Sequence, residues 1–265
     1  MNFIYYTSII LIGLYLLICL LLYLFQEKLI FYPTQLKTDH TFKFSGNFNE
    51  IFFKTKDGKS LNALLFKAEK PKGVIFYLHG NAASLDHWGN VAETYTELNY
   101  DVFIWDYRGY GKSDGKIFSE EQLLEDAQLA YDQLKNSYSE NDIIVLGYSL
   151  GSGIAANISA NNQPKLLILQ TPYYSLIDVA KKRFPILPNF LLKYPLKTHE
   201  FLESCDLPIV IFHGDNDELI DYKSSLKLKD KFKNIQLITL EGQGHKGVTY
   251  NPKYRAELTK LLSEF

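Results

Sequence analysis

The sequence predicts an α/β fold: a doubly wound, mainly parallel sheet with a short cap insert, preceded by an N-terminal transmembrane helix. Three features of its 265 residues carry this expectation. Phe3 to Phe25 is apolar and uncharged. From Gly73 onward, apolar strand-like runs alternate with helix-like stretches, the pattern of βα units with right-handed crossovers. Between residues 172 and 204 the alternation stops in a stretch rich in Pro and large apolar side chains, "RFPILPNFLLKYPL".

The run Phe3 to Phe25 reaches about 34 Å as a helix, enough to cross the hydrocarbon core. Tyr5, Tyr6 and Tyr23 lie near its ends, as an interfacial belt requires. A cleaved signal peptide is the rival reading. The run exceeds the usual apolar region of a leader, no basic stretch precedes it and no small-residue cleavage site follows. Cys19 follows the bulky Ile18, unlike a lipidated cysteine. Lys28, Lys37 and Lys43 follow the span and no Lys or Arg precedes it, a bias toward a cytoplasmic C-terminal domain. Residues 1–30 are therefore expected to form a single-pass membrane anchor through residues 3–25.

Residues 31–44, with "FYPTQL" broken by Pro33, read as a linker. The domain is expected over 45–265. "EIFFKT" and "LNALLFKA" flank an Asp-Gly turn and predict a hairpin. "GVIFYLHG" is continuously apolar, as a strand buried on both faces must be. A helix over 86–98 follows, then strand "DVFIWDY", helix 119–136, strand "DIIVLGY", helix 152–160 and strand "KLLILQ". After the cap insert, about 172–204, come strand "PIVIFHG", helix 221–232, strand "IQLITL" and helix 250–264. In such sheets chemistry gathers at the carboxyl ends of the strands.

Composition narrows the function classes. The net charge of −2, without blocks of like charge, gives no surface for nucleic acid. Two cysteines, one inside the apolar run, make no disulfide framework. No metal-ligand spacing or phosphate loop appears, so no cofactor and no metal are expected.

"GYSLGSG" places Ser149 where strand 142–148 meets helix 152–160. Gly147 and Gly151 provide room for the close strand–helix passage and lift Ser149 toward solvent, the G-x-S-x-G elbow. A serine hydroxyl needs a neutral imidazole as base and a carboxylate behind it. In the elbow arrangement these follow in the order Ser, acid, His. His245, in the Gly-rich loop "EGQGHKGV" after a strand, fits. His213 precedes the candidate acids, and His199 lies in the insert. The acid is sought in "GDNDELI", with Asp217 favoured and Asp215 second. The oxyanion requires two amide donors: the N–H of Leu150, and one from "HGNAAS", Asn81 with Ala82 in reserve. His79 reads as a structural histidine, and Asp106 and Arg108 as a pair ordering the "WDYRGYGKSDG" turn.

"YLHGNAAS", "DYRGYGKSDG", "GYSLGSG", "HGDNDELI" and "GHKG" together resemble the α/β-hydrolase superfamily over roughly residues 45–265. They look most like serine-aminopeptidase-type hydrolases of its membrane-anchored α/β-hydrolase-domain subgroup. The resemblance implies Ser149, Asp217 and His245 as triad, and Asn81 and Leu150 as oxyanion donors. Some relatives are similar to protein depalmitoylases, while others have no settled substrate. Fold alone does not give substrate.

The leading expectation is a membrane-anchored serine hydrolase that cleaves acyl esters or thioesters through an acyl-enzyme on Ser149. Its substrate would be small or lipid-like, or an acylated protein. Phe184, Ile186, Leu187, Phe190, Leu191 and Leu192 of the insert would guide acyl chains or simply pack a cap. The alternatives are a serine aminopeptidase or amidase, and a non-catalytic membrane-anchored binding protein.

Overall fold

The computed structural model describes residues 2–264. An eight-stranded sheet forms its centre, in the order β10-β9-β8-β7-β4-β6-β3-β2. Its strands are β2 (Asn47–Lys54), β3 (Ser60–Lys67), β4 (Val74–Leu78), β6 (Asp101–Trp105), β7 (Ile143–Tyr148), β8 (Leu166–Gln170), β9 (Ile209–Gly214) and β10 (Ile235–Leu240). β2 and β3 form the expected hairpin, and β3 runs antiparallel to β6. All other pairings are parallel.

The central strands are apolar except at their ends, where Asp101, Gln170 and His213 stand, because both faces are covered. In β4, Val74, Phe76 and Leu78 pack into one core cluster, while Ile75 and Tyr77 pack into the opposite one. Alternation along the strand sends neighbouring side chains to opposite faces, so neither face tolerates polar residues.

The helices are α1 (Asn2–Ile30), α2 (Leu85–Trp88), α3 (Ala92–Thr96), α4 (Glu120–Lys135), α5 (Leu150–Asn161), α6 (Leu176–Arg183), α7 (Thr198–Phe201), α8 (Lys223–Lys231) and α9 (Pro252–Ser263). The helix expected over 86–98 is instead α2, a 3-10 turn (Gly89–Val91) and α3. The insert is less irregular than its Pro content suggests. Ser175 caps α6 by accepting the Asp178 N–H at 3.1 Å, and the chain extends again only at the Pro-rich run.

Residues 31–36 are bound to the domain rather than free of it. β1 (Tyr32–Pro33) pairs in parallel with β5 (Ala82–Ala83), the loop after β4. The N–H groups of Tyr32, Thr34 and Leu36 donate to the carbonyls of Asn81, Ala83 and Gly111 at 2.8–2.9 Å. Phe31 is buried in the core cluster and meets Tyr194 edge-on, ring centroids 5.0 Å apart. The last turn of the apolar helix is thereby fixed to the sheet's carboxyl edge.

Candidate active site

Ser149 stands between β7 and α5 with φ 51° and ψ −115°, a conformation a non-glycine residue adopts only under strain of about 1–3 kcal/mol. The neighbouring packing imposes it. A Cβ on Gly147 would lie 2.4 Å from the Gly151 carbonyl oxygen, and one on Gly151 would lie 2.0 Å from that of Leu78. Only glycine fits where the helix start crosses the strand ends. The Ser149 N–H donates to the Gln170 carbonyl at 3.0 Å, and the Ser152 hydroxyl donates to the Ser149 carbonyl at 2.6 Å, so the turn is bonded on both sides.

His245 and Asp217 meet Ser149 from two other loops. His245 Nε2 lies 3.0 Å from Ser149 Oγ, and its Nδ1 lies 2.7 Å from Asp217 Oδ2. A carboxylate only accepts, so Nδ1 carries the proton and Nε2 is left bare toward the serine hydroxyl. The Tyr148 hydroxyl donates to the His245 carbonyl at 2.8 Å and steadies that loop. Burial works to raise the Asp217 carboxyl, but the hydrogen bonds from His213 and His245 outweigh it. The group is held well below the usual carboxylate range and stays ionised.

Asp217 has a further partner that its sequence position concealed. His213, at the end of β9, places Nε2 3.2 Å from Asp217 Oδ2 and 3.1 Å from the Ile220 carbonyl. Both are acceptors, so Nε2 bears the proton, and the Ser225 hydroxyl donates to Nδ1 at 2.6 Å. The other carboxylate oxygen of Asp217 takes the N–H groups of Leu219 and Ile220 at 2.9 and 2.8 Å. The signal was a histidine ending an otherwise apolar strand four residues before the acid. Asp215 is elsewhere: exposed, with Oδ1 accepting the Gly242 N–H at 2.7 Å.

The donors proposed for the oxyanion flank the serine. Leu150 opens α5, where an N–H has no partner within the helix. Asn81 lines the same cavity as Ser149 and Leu150. Its carbonyl accepts from the Tyr32 N–H at 2.8 Å and the Tyr110 hydroxyl at 2.7 Å, and its side chain donates to the Ile30 carbonyl at 2.9 Å. Ala82 sits in β5 beside it.

Two expectations need correction. Ser149 is not lifted into solvent: it is only 5% exposed, because the cap and the end of α1 roof it over. Asp106 and Arg108 do not pair. Arg108 binds Asp126 at 2.5 and 2.9 Å and Asp57 at 2.7 and 2.9 Å, whereas Asp106 accepts the Leu85 N–H at 3.0 and 3.1 Å and faces His79. His79 donates from Nδ1 to the Gly80 carbonyl at 2.7 Å and lies against the rings of Tyr107 and Trp88, away from the serine relay. His199 stacks on Tyr174 at 4.1 Å at the cap's base.

The roofed cavity measures about 360 Å³, within the range of small-ligand pockets. Leu150, Leu176, Val179, Phe184, Leu187, Leu191, Leu192 and Ile220 line it, with Leu22, Leu29 and Ile30 from α1. Among the described residues no acidic side chain lines it, and Arg183 is its one charged group. Among the described residues no cluster of three or more His, Cys, Asp or Glu side chains could hold a metal.

A family model described as serine aminopeptidase, S33, matches residues 69–199. Protein bem46 of Schizosaccharomyces pombe is 32% identical over 190 residues, covering 67% of this chain and 63% of its own length. The chain thus spans less than two thirds of that relative. Alpha/beta hydrolase domain-containing protein 17C of Xenopus tropicalis is 26% identical over 223 residues, covering 81% of this chain and 70% of the relative. The solved structure of a Pyrococcus furiosus esterase superposes with a TM-score of 0.70 at 19% identity, covering 89% of this chain and 97% of the other. With a mainly parallel sheet, a serine elbow and these likenesses, the chain belongs to the α/β-hydrolase superfamily.

Proposed function

We propose that this hydrolase is a membrane-anchored serine esterase or thioesterase acting through an acyl-enzyme on Ser149. The observation that carries the reading is the relay from Ser149 Oγ to His245 Nε2 at 3.0 Å and from His245 Nδ1 to Asp217 at 2.7 Å, set under an apolar cavity. His245 takes the hydroxyl proton as Oγ attacks the acyl carbonyl. The backbone N–H groups of Leu150 and Asn81 receive the oxyanion. The intermediate collapses as the imidazolium gives its proton to the departing alcohol or thiol. Water, deprotonated by the same imidazole, then releases the acid and restores Ser149.

The cavity's chemistry favours an acyl chain over a peptide amine. An aminopeptidase must hold a free ammonium, and among the described residues no carboxylate lines this cavity. Apolar walls instead suit a hydrocarbon chain. The membrane reading rests on α1, whose stretch Phe3–Ile30 is long and apolar enough to cross a bilayer and is almost wholly exposed. Removal of α1 as a leader would strip Leu22, Tyr23, Gln26, Leu29 and Ile30 from the cavity wall, which argues that the helix is retained.

Labelling with a fluorophosphonate tests the reading, since only an activated serine reacts. Stoichiometric labelling that Ser149→Ala abolishes is expected. A chain that stays folded yet unlabelled would be a binding protein instead.

A further inference from the structure

The cavity above Ser149 has two walls that descend together. One is the end of α1, and the other is the cap from α6 to Leu192. They are clasped. The Gln26 side chain accepts the Lys193 N–H at 2.8 Å and donates to the Leu191 carbonyl at 3.0 Å. Glu27 accepts from Lys193 Nζ at 2.9 Å and from the Tyr194 hydroxyl at 3.2 Å. Lys193 Nζ also lies 4.6 Å from the centre of the Tyr23 ring.

Deeper along α1, the Tyr15 hydroxyl donates to the Ile186 carbonyl at 2.9 Å. Tyr15 precedes Tyr23 by two helical turns, roughly 12 Å. The cap therefore follows the helix away from the domain and into the depth the helix would occupy in a bilayer. At its tip Ile186 and Phe190 are 75% and 84% exposed, and neither lines the cavity. Packing leaves these two large apolar side chains unused. Immediately before the tip, Lys181, Lys182 and Arg183 end α6, all exposed, with Arg183 at the cavity. Cations above an apolar tip match the boundary between headgroups and acyl chains, where long basic side chains reach toward phosphate. The cavity-lining residues Tyr23, Leu29 and Tyr32 are exposed as well.

We propose that the cap tip enters the same leaflet as α1, and that the cavity between them draws its substrate's acyl chain directly from that leaflet. The scissile ester or thioester then rests at headgroup height against Ser149. This rests on the reading of Ser149 as nucleophile and adds where the acyl chain comes from. It makes α1 a wall of the binding site as well as a tether.

The test uses the full chain in vesicles of phosphatidylcholine and phosphatidylserine. In a Ser149→Ala background, Phe190→Trp is compared with its parent for quenching by lipids brominated on the acyl chain. Extra quenching of roughly two-fold is expected for an indole inside the leaflet. No extra quenching, including the case where a second copy or another protein covers the tip, overturns the proposal. In the active chain, Ile186→Glu with Phe190→Glu should slow a long-chain ester dissolved in the vesicles by about 10-fold, while a short soluble ester changes less than about two-fold. Parallel changes in both substrates, or none in either, would contradict it. The quenching requires no turnover, so a failed fluorophosphonate reaction with intact quenching would sink only the nucleophile reading.

Discussion

His213 Nε2 approaches Asp217 Oδ2 to 3.2 Å, on the same oxygen that receives His245 Nδ1 at 2.7 Å. One carboxylate is thus gripped by two imidazoles and, on its other oxygen, by two backbone amides. In the proposed mechanism His213 touches no reacting atom and positions the acid.

His213→Ala should lower kcat/KM by about 10-fold with KM nearly unchanged, since a hydrogen bond to a charged group is worth about 1.5–3 kcal/mol. His213→Gln, whose amide can donate to the same oxygen, should recover part of the loss. A lost fold would remove activity in both variants. Equal rates for Ala and Gln at full stability would remove the positioning role.

Asp217→Asn should cost about 10⁴ in kcat, because an amide no longer selects the Nδ1–H tautomer of His245. Asp215→Asn keeps an oxygen that can accept the Gly242 N–H and should change both stability and rate little. Steady-state kinetics and denaturant titration of the two variants separate these outcomes, and a reversed order would make Asp215 the acid.

The candidate nucleophile was legible because its constraints are local. A strand, a serine between two glycines and a helix follow one another in the chain, and the clash distances at Gly147 and Gly151 supply the physical reason. Asp217 and His245 were legible from chain order and from their loops after strands. The second imidazole on Asp217 was not, since His213 looked like a strand-end residue until β9 and its loop brought Nε2 beside the carboxylate. The roof over Ser149 was equally hidden. It depends on Gln26 meeting residues 191 and 193, and on Tyr32 meeting Asn81, contacts that no periodicity signals. α6 was missed amid prolines, although its Ser175 cap was a readable start.

The hidden roof changes what truncation should do. A linker over 31–44 and a domain over 45–265, as the sequence predicts, would leave a chain beginning near Lys37 complete and active on small esters. In the structure, residues 26–36 supply the clasp, the β1–β5 pairing and a cavity wall. A chain beginning at Gln26 should keep activity on short esters, whereas one beginning at Lys37 should lose at least about 10-fold, because the Asn81 loop loses its bonded neighbours. Equal activity of both would show that the wall is dispensable.

The pH response of stability follows from Asp217. Its folded-state carboxyl lies below the unfolded value of about 3.9, so it stabilises the fold fully above that value. The contribution fades as pH falls from about 5 toward the depressed folded value. Denaturation of wild type and Asp217→Asn at descending pH should therefore show their stability difference shrinking. A constant difference would mean that Asp217 is not held ionised by its neighbours.

The covalent intermediate gives the most direct test. The full chain is mixed with a p-nitrophenyl ester, quenched in acid within the first turnovers, and its peptides are mapped by mass spectrometry. A burst of p-nitrophenol matching the enzyme concentration, with the acyl group on the peptide carrying Ser149 and absent from Ser149→Ala, is the predicted result. Turnover with no acylated peptide, or with the acyl group on another residue, would contradict Ser149 as the nucleophile.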